Sequence, residues 1–209
     1  EARLGPGIRP TQAVKDTLQI CGDACKYCEI NPEPAMTDRY AEFRKLASDL
    51  KVDAIALVPG PNFVRLFRQS FHSNERPLMV LIPVSGAPAA IVPNLELRSF
   101  DLIGFEGDVV DWRDQTGYAD AFAALSSVMP MASVAVEGQV MRVFVHHAMA
   151  KAWPGLKIVD AEKHISGLRI RKSLKEIAAL QSAIDLSERA LATTLDQVRI
   201  GMTETAVER

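Results

Sequence analysis

Hydrophobic and polar positions follow two different periods along this chain. Short apolar runs bounded by Gly, Pro or polar residues predict strands over residues 53–58, 78–83, 89–93, 108–112, 133–136 and 157–160. Apolar residues at spacings of three and four predict helices over residues 37–50, 62–67, 118–129 and 141–148. Residues 95–102 fit neither pattern well, and a short helix is one interpretation.

Most predicted strands are separated by a predicted helix. The exception is the pair at 78–83 and 89–93, which a five-residue loop containing Gly86 joins as a hairpin. Asn62 follows Pro59-Gly60-Pro61 and is predicted to cap the helix that begins there. The pattern therefore predicts an α/β domain, a mixed sheet with one hairpin and with helices packed on it.

A long amphipathic helix is predicted to follow that domain. Ser173 and Glu176 have the spacing of a capping box, in which each side chain bonds the other residue's backbone N–H. Apolar residues recur in helical register at Ile177, Leu180, Ile184, Leu191, Leu195 and Val198. Gly201 is predicted to end this helix, and Thr203 to cap a second one.

Composition excludes several classes of function. The chain has 209 residues, of which 48% are hydrophobic, and a net charge of −2, so no general attraction to nucleic acid or to an anionic membrane is expected. No apolar run approaches the roughly 20 residues of a membrane-spanning helix. The first residues lack the basic and then apolar layout of a signal peptide. We expect a cytoplasmic protein that binds neither nucleic acid nor membrane.

Residues 1–35 show no sustained period and are interpreted as an irregular leader. We hypothesise that Met36 lies close to the natural start and that the leader is an upstream extension of the reading frame. Cys21, Cys25 and Cys28 have the C-x3-C-x2-C spacing seen in radical S-adenosylmethionine enzymes. The surroundings of the motif do not fit that class, so a spurious leader and an adventitious zinc site stay open as alternatives.

Four blocks of sequence together resemble the creatinase/prolidase/aminopeptidase P family of metallopeptidases. They are residues 53–96 with the elements Pro61-Asn62 and Glu75-Arg76-Pro77, VVDWRD at 109–114, VAVEG at 134–138, and the junction LRIRKSLKEIAAL with VRIGMTETAVE at 168–208. The resemblance implies a creatinase/prolidase N-terminal-like domain over 36–167. Residues 168–209 would then be the linker and first helices of a pita-bread catalytic domain.

The resemblance also implies a reaction and its cofactors. Members of this family hydrolyse peptide bonds, often before proline, with two divalent metal ions (Mn, Co or Zn) held by two Asp, one His and two Glu of the catalytic domain. Asp185 and Asp196 have the eleven-residue spacing of the two Asp, but eleven helical residues rise about 16 Å, too far to share a metal pair. We therefore expect no catalytic or metal-binding residue and no cofactor in this chain.

The most polar part of the second block is the loop that contains His72, Glu75 and Arg76. One interpretation is a substrate entrance, in which Arg76 holds a carboxylate in a fork and His72 donates a hydrogen bond. The other is a local Glu75–Arg76 pair that fixes the start of a strand. His146 and His147 are adjacent on a predicted helix, and we expect one to be packed and the other exposed.

Two kinds of function follow. The first is the N-terminal, non-catalytic part of an Xaa-Pro dipeptidase or aminopeptidase, which shapes the entrance for a peptide substrate and contributes to a homodimer. The second is a stand-alone binding or scaffolding domain. A creatinase-like non-peptidase of the same architecture is a third possibility, since fold does not fix chemistry.

Overall fold

A six-stranded mixed sheet forms the centre of the computed structural model, which describes residues 38–72 and 74–208. The strands are β1 (Ala54–Leu57), β2 (Met79–Pro83), β3 (Ala89–Pro93), β4 (Asp108–Trp112), β5 (Ser133–Val136) and β6 (Lys157–Asp160). Their order across the sheet is β4-β3-β2-β1-β5-β6. All six predicted strands are present, and the predicted hairpin is the antiparallel pair β2–β3.

Strand direction changes twice across the sheet. β1 pairs antiparallel with β2 and parallel with β5, in the register Ala54 opposite Val134. The outer pairs β3–β4 and β5–β6 are both parallel. The carboxyl ends of β1, β5 and β6 therefore lie side by side along one edge of the sheet, which we call the carboxyl edge. This is the kind of position where open α/β sheets present functional groups.

Helices cover both faces of the sheet. They are α1 (Ala41–Leu50), α2 (Pro61–Phe67), α3 (Leu97–Asp101), α4 (Ala119–Val128), α5 (Val143–Ala152) and α6 (Glu162–Gly167), with a 3-10 turn at Asn94–Glu96. Buried residues of α1, α2, α3 and α6 form one core cluster, and those of α4 and α5 form the other. The predicted α/β class, with a mixed sheet and packed helices, is confirmed.

The two faces of β1 show how alternation builds these layers. Ile55 and Leu57 belong to the cluster under α1 and α2, whereas Ala54 and Ala56 belong to the cluster under α4 and α5. All four residues are buried because β1 is internal and both of its faces are covered. This explains why the sequence of β1 reads as a continuous apolar run instead of an alternating one.

A 24-residue helix, α7 (Leu174–Gln197), follows the sheet domain, and α8 (Glu204–Glu208) follows it. The predicted capping box is confirmed: the Ser173 N–H donates to Glu176 Oε2 at 2.8 Å, and the Glu176 N–H donates to Ser173 Oγ at 3.2 Å. Gly201 has a φ of +94°, a left-handed conformation that suits Gly. No residue of α7 is buried.

Two details of the predicted elements are wrong. Asn62 does not cap α2; the N-cap position is Gly60, and the Asn62 side chain is buried instead. The first helix begins at Ala41, four residues later than predicted. Among the described residues, no helix has both the length and the apolar character that crossing a membrane requires.

Candidate functional site

The predicted entrance residues lie in the loop that precedes β2. Arg76 forms a fork with Asp114, which follows β4: Arg76 Nε donates to Oδ1 at 2.9 Å and Nη2 donates to Oδ2 at 2.8 Å. Arg76 Nη1 also donates to Glu75 Oε1 at 2.9 Å. The local Glu75–Arg76 pair is thus present, and so is a carboxylate in the fork of Arg76, although that carboxylate belongs to this chain.

The fork is electrostatically matched and accessible to solvent. Its hydrogen bonds from Arg76 hold the pKa of Asp114 below its usual range, and the same bonds raise the pKa of Arg76. Arg76 and Asp114 are 37% and 44% exposed, so water competes for the pair and its contribution to stability is small. His72, four residues before Arg76 in the chain, is exposed. An incoming carboxylate would have to displace Asp114 to reach the fork.

A second polar group, which sequence reasoning missed, lies at the carboxyl edge. Asn62, in the first turn of α2, and Glu137, directly after β5, are 0% and 1% exposed. Asn62 Nδ2 donates to Glu137 Oε1 at 2.7 Å. Among the described residues, these two are the only buried ones with a polar or charged side chain. They lie 75 residues apart in sequence and meet because β1 and β5 are parallel neighbours.

The Asn62–Glu137 pair leaves polar atoms without partners. Asn62 Oδ1 and Glu137 Oε2 are both buried and accept no hydrogen bond from the described residues. Burial raises the pKa of Glu137, and the nearby Glu162 carboxylate adds to the rise, while the bond from Asn62 and the charge of Arg169 oppose it. A raised pKa favours the protonated acid, the only form that can donate from Oε2.

The backbone beside Glu137 is held by a carboxylate from the next strand. Asp160, at the end of β6, accepts from the Gly138 N–H at 3.2 Å and from the Glu162 N–H at 3.0 Å. A Cβ at Gly138 would lie 2.6 Å from the Asp160 carboxylate, so a residue larger than Gly would displace it. Gly138 therefore leaves the space that the Asp160 carboxylate occupies beside its N–H.

Neither the Arg76–Asp114 fork nor the Asn62–Glu137 pair belongs to a cluster of potential metal ligands among the described residues. Within the part of the chain that the structure describes, no three His, Cys, Asp or Glu side chains converge as metal ligands would. Asp185 and Asp196 are both exposed on α7, and Asp185 accepts from Gln181 Nε2 at 2.7 Å. The interpretation of Cys21, Cys25 and Cys28 falls outside the described residues.

The two adjacent histidines differ from expectation. Both His146 and His147 are exposed on α5, with ring centroids 5.9 Å apart. The prediction that one of them is packed was wrong, because the buried side of α5 is formed by Val145 and Met149, four residues apart.

Comparisons with known proteins agree with this fold. Residues 39–171 match the family model described as the creatinase/prolidase N-terminal domain. A prolidase from Thermococcus sibiricus superposes with a TM-score of 0.70 at 21% identity, over 83% of this chain and 48% of that one. Dipeptidase PepE from Mycobacterium ulcerans superposes with a TM-score of 0.63 at 24% identity, over 88% of this chain and 47% of that one. No curated protein matches the sequence significantly.

Shorter solved structures cover the sheet domain by itself. The N-terminal domain of Xaa-Pro dipeptidase from Lactobacillus brevis superposes with a TM-score of 0.55 at 16% identity, over 63% of this chain and 99% of that one. At sequence identities below 25%, similarity of structure establishes the fold alone. The present chain covers about half the length of the Thermococcus sibiricus prolidase and of PepE in those structures.

Proposed function

Because this chain belongs to the creatinase/prolidase N-terminal domain family, we propose that it is the N-terminal, non-catalytic part of a metal-dependent hydrolase of the Xaa-Pro dipeptidase or aminopeptidase type. The observation that carries the proposal is the family match over residues 39–171, which includes the whole six-stranded sheet. The function of this part is to shape the substrate entrance and to contribute to a homodimer in the cytoplasm.

The exposed face of α7 supports a further domain in the same protein. Large apolar residues of α7 that are half or more exposed are Leu174, Ile177, Leu180, Leu191 and Leu195, with Ile184 at 49%. A continuous stripe of this kind is typical of an interface. The prolidase chain of similar fold is about twice as long as the part of it that this chain matches. We propose that a catalytic domain covers this stripe.

The chemistry belongs to residues outside the described ones. We propose two divalent metal ions, Mn, Co or Zn, in the catalytic domain, where such a pair activates water and polarises the scissile carbonyl. The described residues offer no matching ligand set. No catalytic step is therefore assigned to them.

We propose that the loop with His72, Glu75 and Arg76 borders the entrance. Its exposure makes it reachable by a peptide, and its Arg76 fork already accommodates one carboxylate, that of Asp114. In the longer protein, Arg76→Ala should raise KM for a dipeptide and leave kcat nearly unchanged, because the residue acts in binding. An equal fall of kcat and kcat/KM in Arg76→Ala would contradict this role.

The main experiment compares the chain by itself with the full gene product. With Mn²⁺ present, the purified 209-residue chain should not hydrolyse Ala-Pro, whereas the product of the gene read past codon 209 should. The added sequence should run to roughly 200 residues, the size of one more domain, and carry two Asp, one His and two Glu in the family's order.

Each alternative predicts a different result of the same experiment. A stop codon directly after Arg209 would favour a stand-alone binding domain. A full-length product that carries the five metal ligands but does not hydrolyse Xaa-Pro peptides would favour a creatinase-like non-peptidase. Metal-dependent cleavage by the 209-residue chain itself would overturn the proposal.

A further inference from the structure

A positively charged cleft lies between α2 and the segment that joins α6 to α7. Its volume is about 390 Å³, within the range of small-molecule sites. We call it the basic cleft. It is lined by Pro61, Val64, Arg65, Arg68, Arg169, Lys172 and Glu176. Four cationic side chains and one carboxylate thus share one concave surface.

The one carboxylate in the basic cleft is already used by the helix cap. Glu176 accepts from the Ser173 N–H at 2.8 Å, and that bond is the main reason its pKa is lowered. Arg65 is paired with Glu42 at 2.8 Å and lies 3.9 Å from Glu176. Glu176 in the cleft and Glu42 beside Arg65 are thus the two acidic groups next to the four cations.

The remaining cations of the basic cleft form no ion pair within 4 Å among the described residues. Arg68 and Arg169 act on the nearby Glu176 and Glu137 only through charge, and each lowers the pKa of that carboxyl. Neither Arg68 nor Arg169 donates a side-chain hydrogen bond to any residue in the described ranges, and Lys172 Nζ donates only to the Ile170 carbonyl, at 3.2 Å. Four cations thus line the cleft against the single carboxylate of Glu176, and the cleft carries an excess of positive charge. Like charges in one cleft repel each other, and a bound anion would relieve that repulsion.

Arg68 is held in this cleft by an unusual backbone conformation. Its φ is +59° and it ends α2, a position where Gly would be unstrained. One other described non-Gly residue, Lys51 at the end of α1, has a positive φ, and it does not line the basic cleft. Both residues are left-handed C-caps of their helices, so the positive φ belongs to the helix end and can be relieved by Gly without affecting the rest of the cleft.

We propose that the basic cleft binds a small oxyanion with two or more negative charges, of the phosphate or pyrophosphate class. Guanidinium groups bind such oxygens through paired, charge-assisted hydrogen bonds, and a flanking ammonium adds a point charge. The bound anion would join Arg65 and Arg68 of α2 to Arg169 and Lys172, which lead into α7. It would thereby fix α7 against the sheet domain. This inference does not depend on the proposed hydrolase function.

The test titrates the purified chain with inorganic pyrophosphate in the presence of EDTA, with sodium chloride at equal ionic strength as the reference. Pyrophosphate should raise Tm along a saturable curve, because a ligand that binds the folded state stabilises it. It should also slow hydrogen exchange at the backbone amides of residues 169–176. Exchange in the β2–β3 hairpin should change far less.

Arg68→Gly is the decisive variant because it should weaken pyrophosphate binding without lowering the stability of the free protein. Relief of the positive φ should leave Tm without pyrophosphate equal to or above that of the wild type. Loss of the guanidinium should weaken pyrophosphate binding about tenfold, the scale of one charge-assisted contact. Lys51→Gly is the matched control, since it relieves the same strain and removes one charge elsewhere, and should bind as the wild type does.

Two further variants define the site. Lys172→Gln should weaken binding, and Arg68→Lys should bind more tightly than Arg68→Gly because it restores a charge. A wild-type chain that pyrophosphate stabilises no more than chloride does would overturn the proposal. An equal response in the wild type and in Arg68→Gly would mean an adventitious ion only, and would overturn it too.

Discussion

The central strands and α7 are both apolar by sequence, but only the strands are buried. β1, β2 and β3 lie inside the sheet with helices on both faces, and their apolar side chains are enclosed. α7 carries an equally regular apolar stripe and buries none of it. The comparison shows that periodicity predicts which side of an element is apolar, whereas burial depends on what packs against it.

The two regions also differ in how far apart their bonded residues are. Hydrogen bonds of α7 join residues three or four apart, as in the Ser173–Glu176 box and the Gln181–Asp185 pair. At the carboxyl edge of the sheet, the Gly138–Asp160 and Asn62–Glu137 bonds join residues separated by 22 and 75 positions. Local bonds can form before the chain folds, whereas distant ones require the whole topology.

The largest expected effect is a difference in the free energy of unfolding when the same Ile→Ala substitution is made in the sheet and on α7. Ile55→Ala removes a side chain that is 0% exposed in the sheet and should lower the free energy of unfolding by about 2–5 kcal/mol. Ile184→Ala, at a position 49% exposed on α7, should change it by about 0.5 kcal/mol or less. Urea denaturation of both variants measures the difference. Similar losses would show that α7 contributes to the cooperative core.

The next effect tests how closely the carboxyl edge is packed. Gly138→Ala forces the Asp160 carboxylate away from the backbone N–H groups that donate to it, and should cost about 1–3 kcal/mol. Gly167→Ala is the control, because nothing lies within 4 Å of its added Cβ. Ala at this helical position should be neutral or stabilising by up to about 1 kcal/mol. The Tm of Gly138→Ala should therefore fall below that of the wild type, whereas the Tm of Gly167→Ala should stay the same or rise.

A smaller effect depends on the pH. The pKa of Glu137 is raised in the folded state, so the folded protein binds more protons and its stability falls as the pH rises. The decline should begin near the unfolded pKa of about 4.3 and end above the folded pKa. Urea denaturation from about pH 5 to about pH 8 should show a more negative slope for the wild type than for Glu137→Gln.

Glu137→Gln isolates this contribution because its amide imitates the protonated acid. The new amide oxygen would accept from Asn62, and the amide nitrogen could donate to the Asn62 Oδ1 that lacks a partner among the described residues. The groups that act on Glu137, namely Asn62, Glu162 and Arg169, stay unchanged in the variant. Identical pH profiles for the two proteins would show that Glu137 keeps its ordinary pKa.

The smallest effect is confined to α7. Ser173→Ala removes one half of the capping box and should weaken the first turns of the helix by about 1 kcal/mol. Hydrogen exchange should become faster near residues 174–180, while the urea midpoint of the sheet domain stays the same. A shift of that midpoint as large as the one for Ile55→Ala would contradict the separation of the two regions.

Most of the fold could be predicted because its signals are local. The strands at 89–93, 108–112, 133–136 and 157–160 have the predicted limits, and the capping box is present atom for atom. Runs of apolar residues between Pro, Gly and polar residues permit few other structures. The predicted domain boundaries at 35/36 and 167/168 stay predictions.

The candidate sites were less accessible to the same reasoning. His72, Glu75 and Arg76 were selected for their polarity, and the partner of Arg76, Asp114, is 38 residues away. Asn62 is predicted as a helix cap because Asn after a Pro-Gly-Pro turn favours one, and Glu137 directly follows the predicted strand at 133–136. An acid directly after a buried strand is a signal that could have identified Glu137 as a group at a sheet edge.

The sequence by itself determined the six strands, most of the helices, the hairpin, the cap of α7 and the membership of a family. These features depend on side chains a few residues apart, whose spacing is set by the helix and strand periods. Only the tertiary structure decided that Asn62 faces Glu137, that Asp114 fills the fork of Arg76 and that four cations converge in the basic cleft. Those contacts arise because strand order and direction bring distant segments together, and strand order is not encoded in local periodicity.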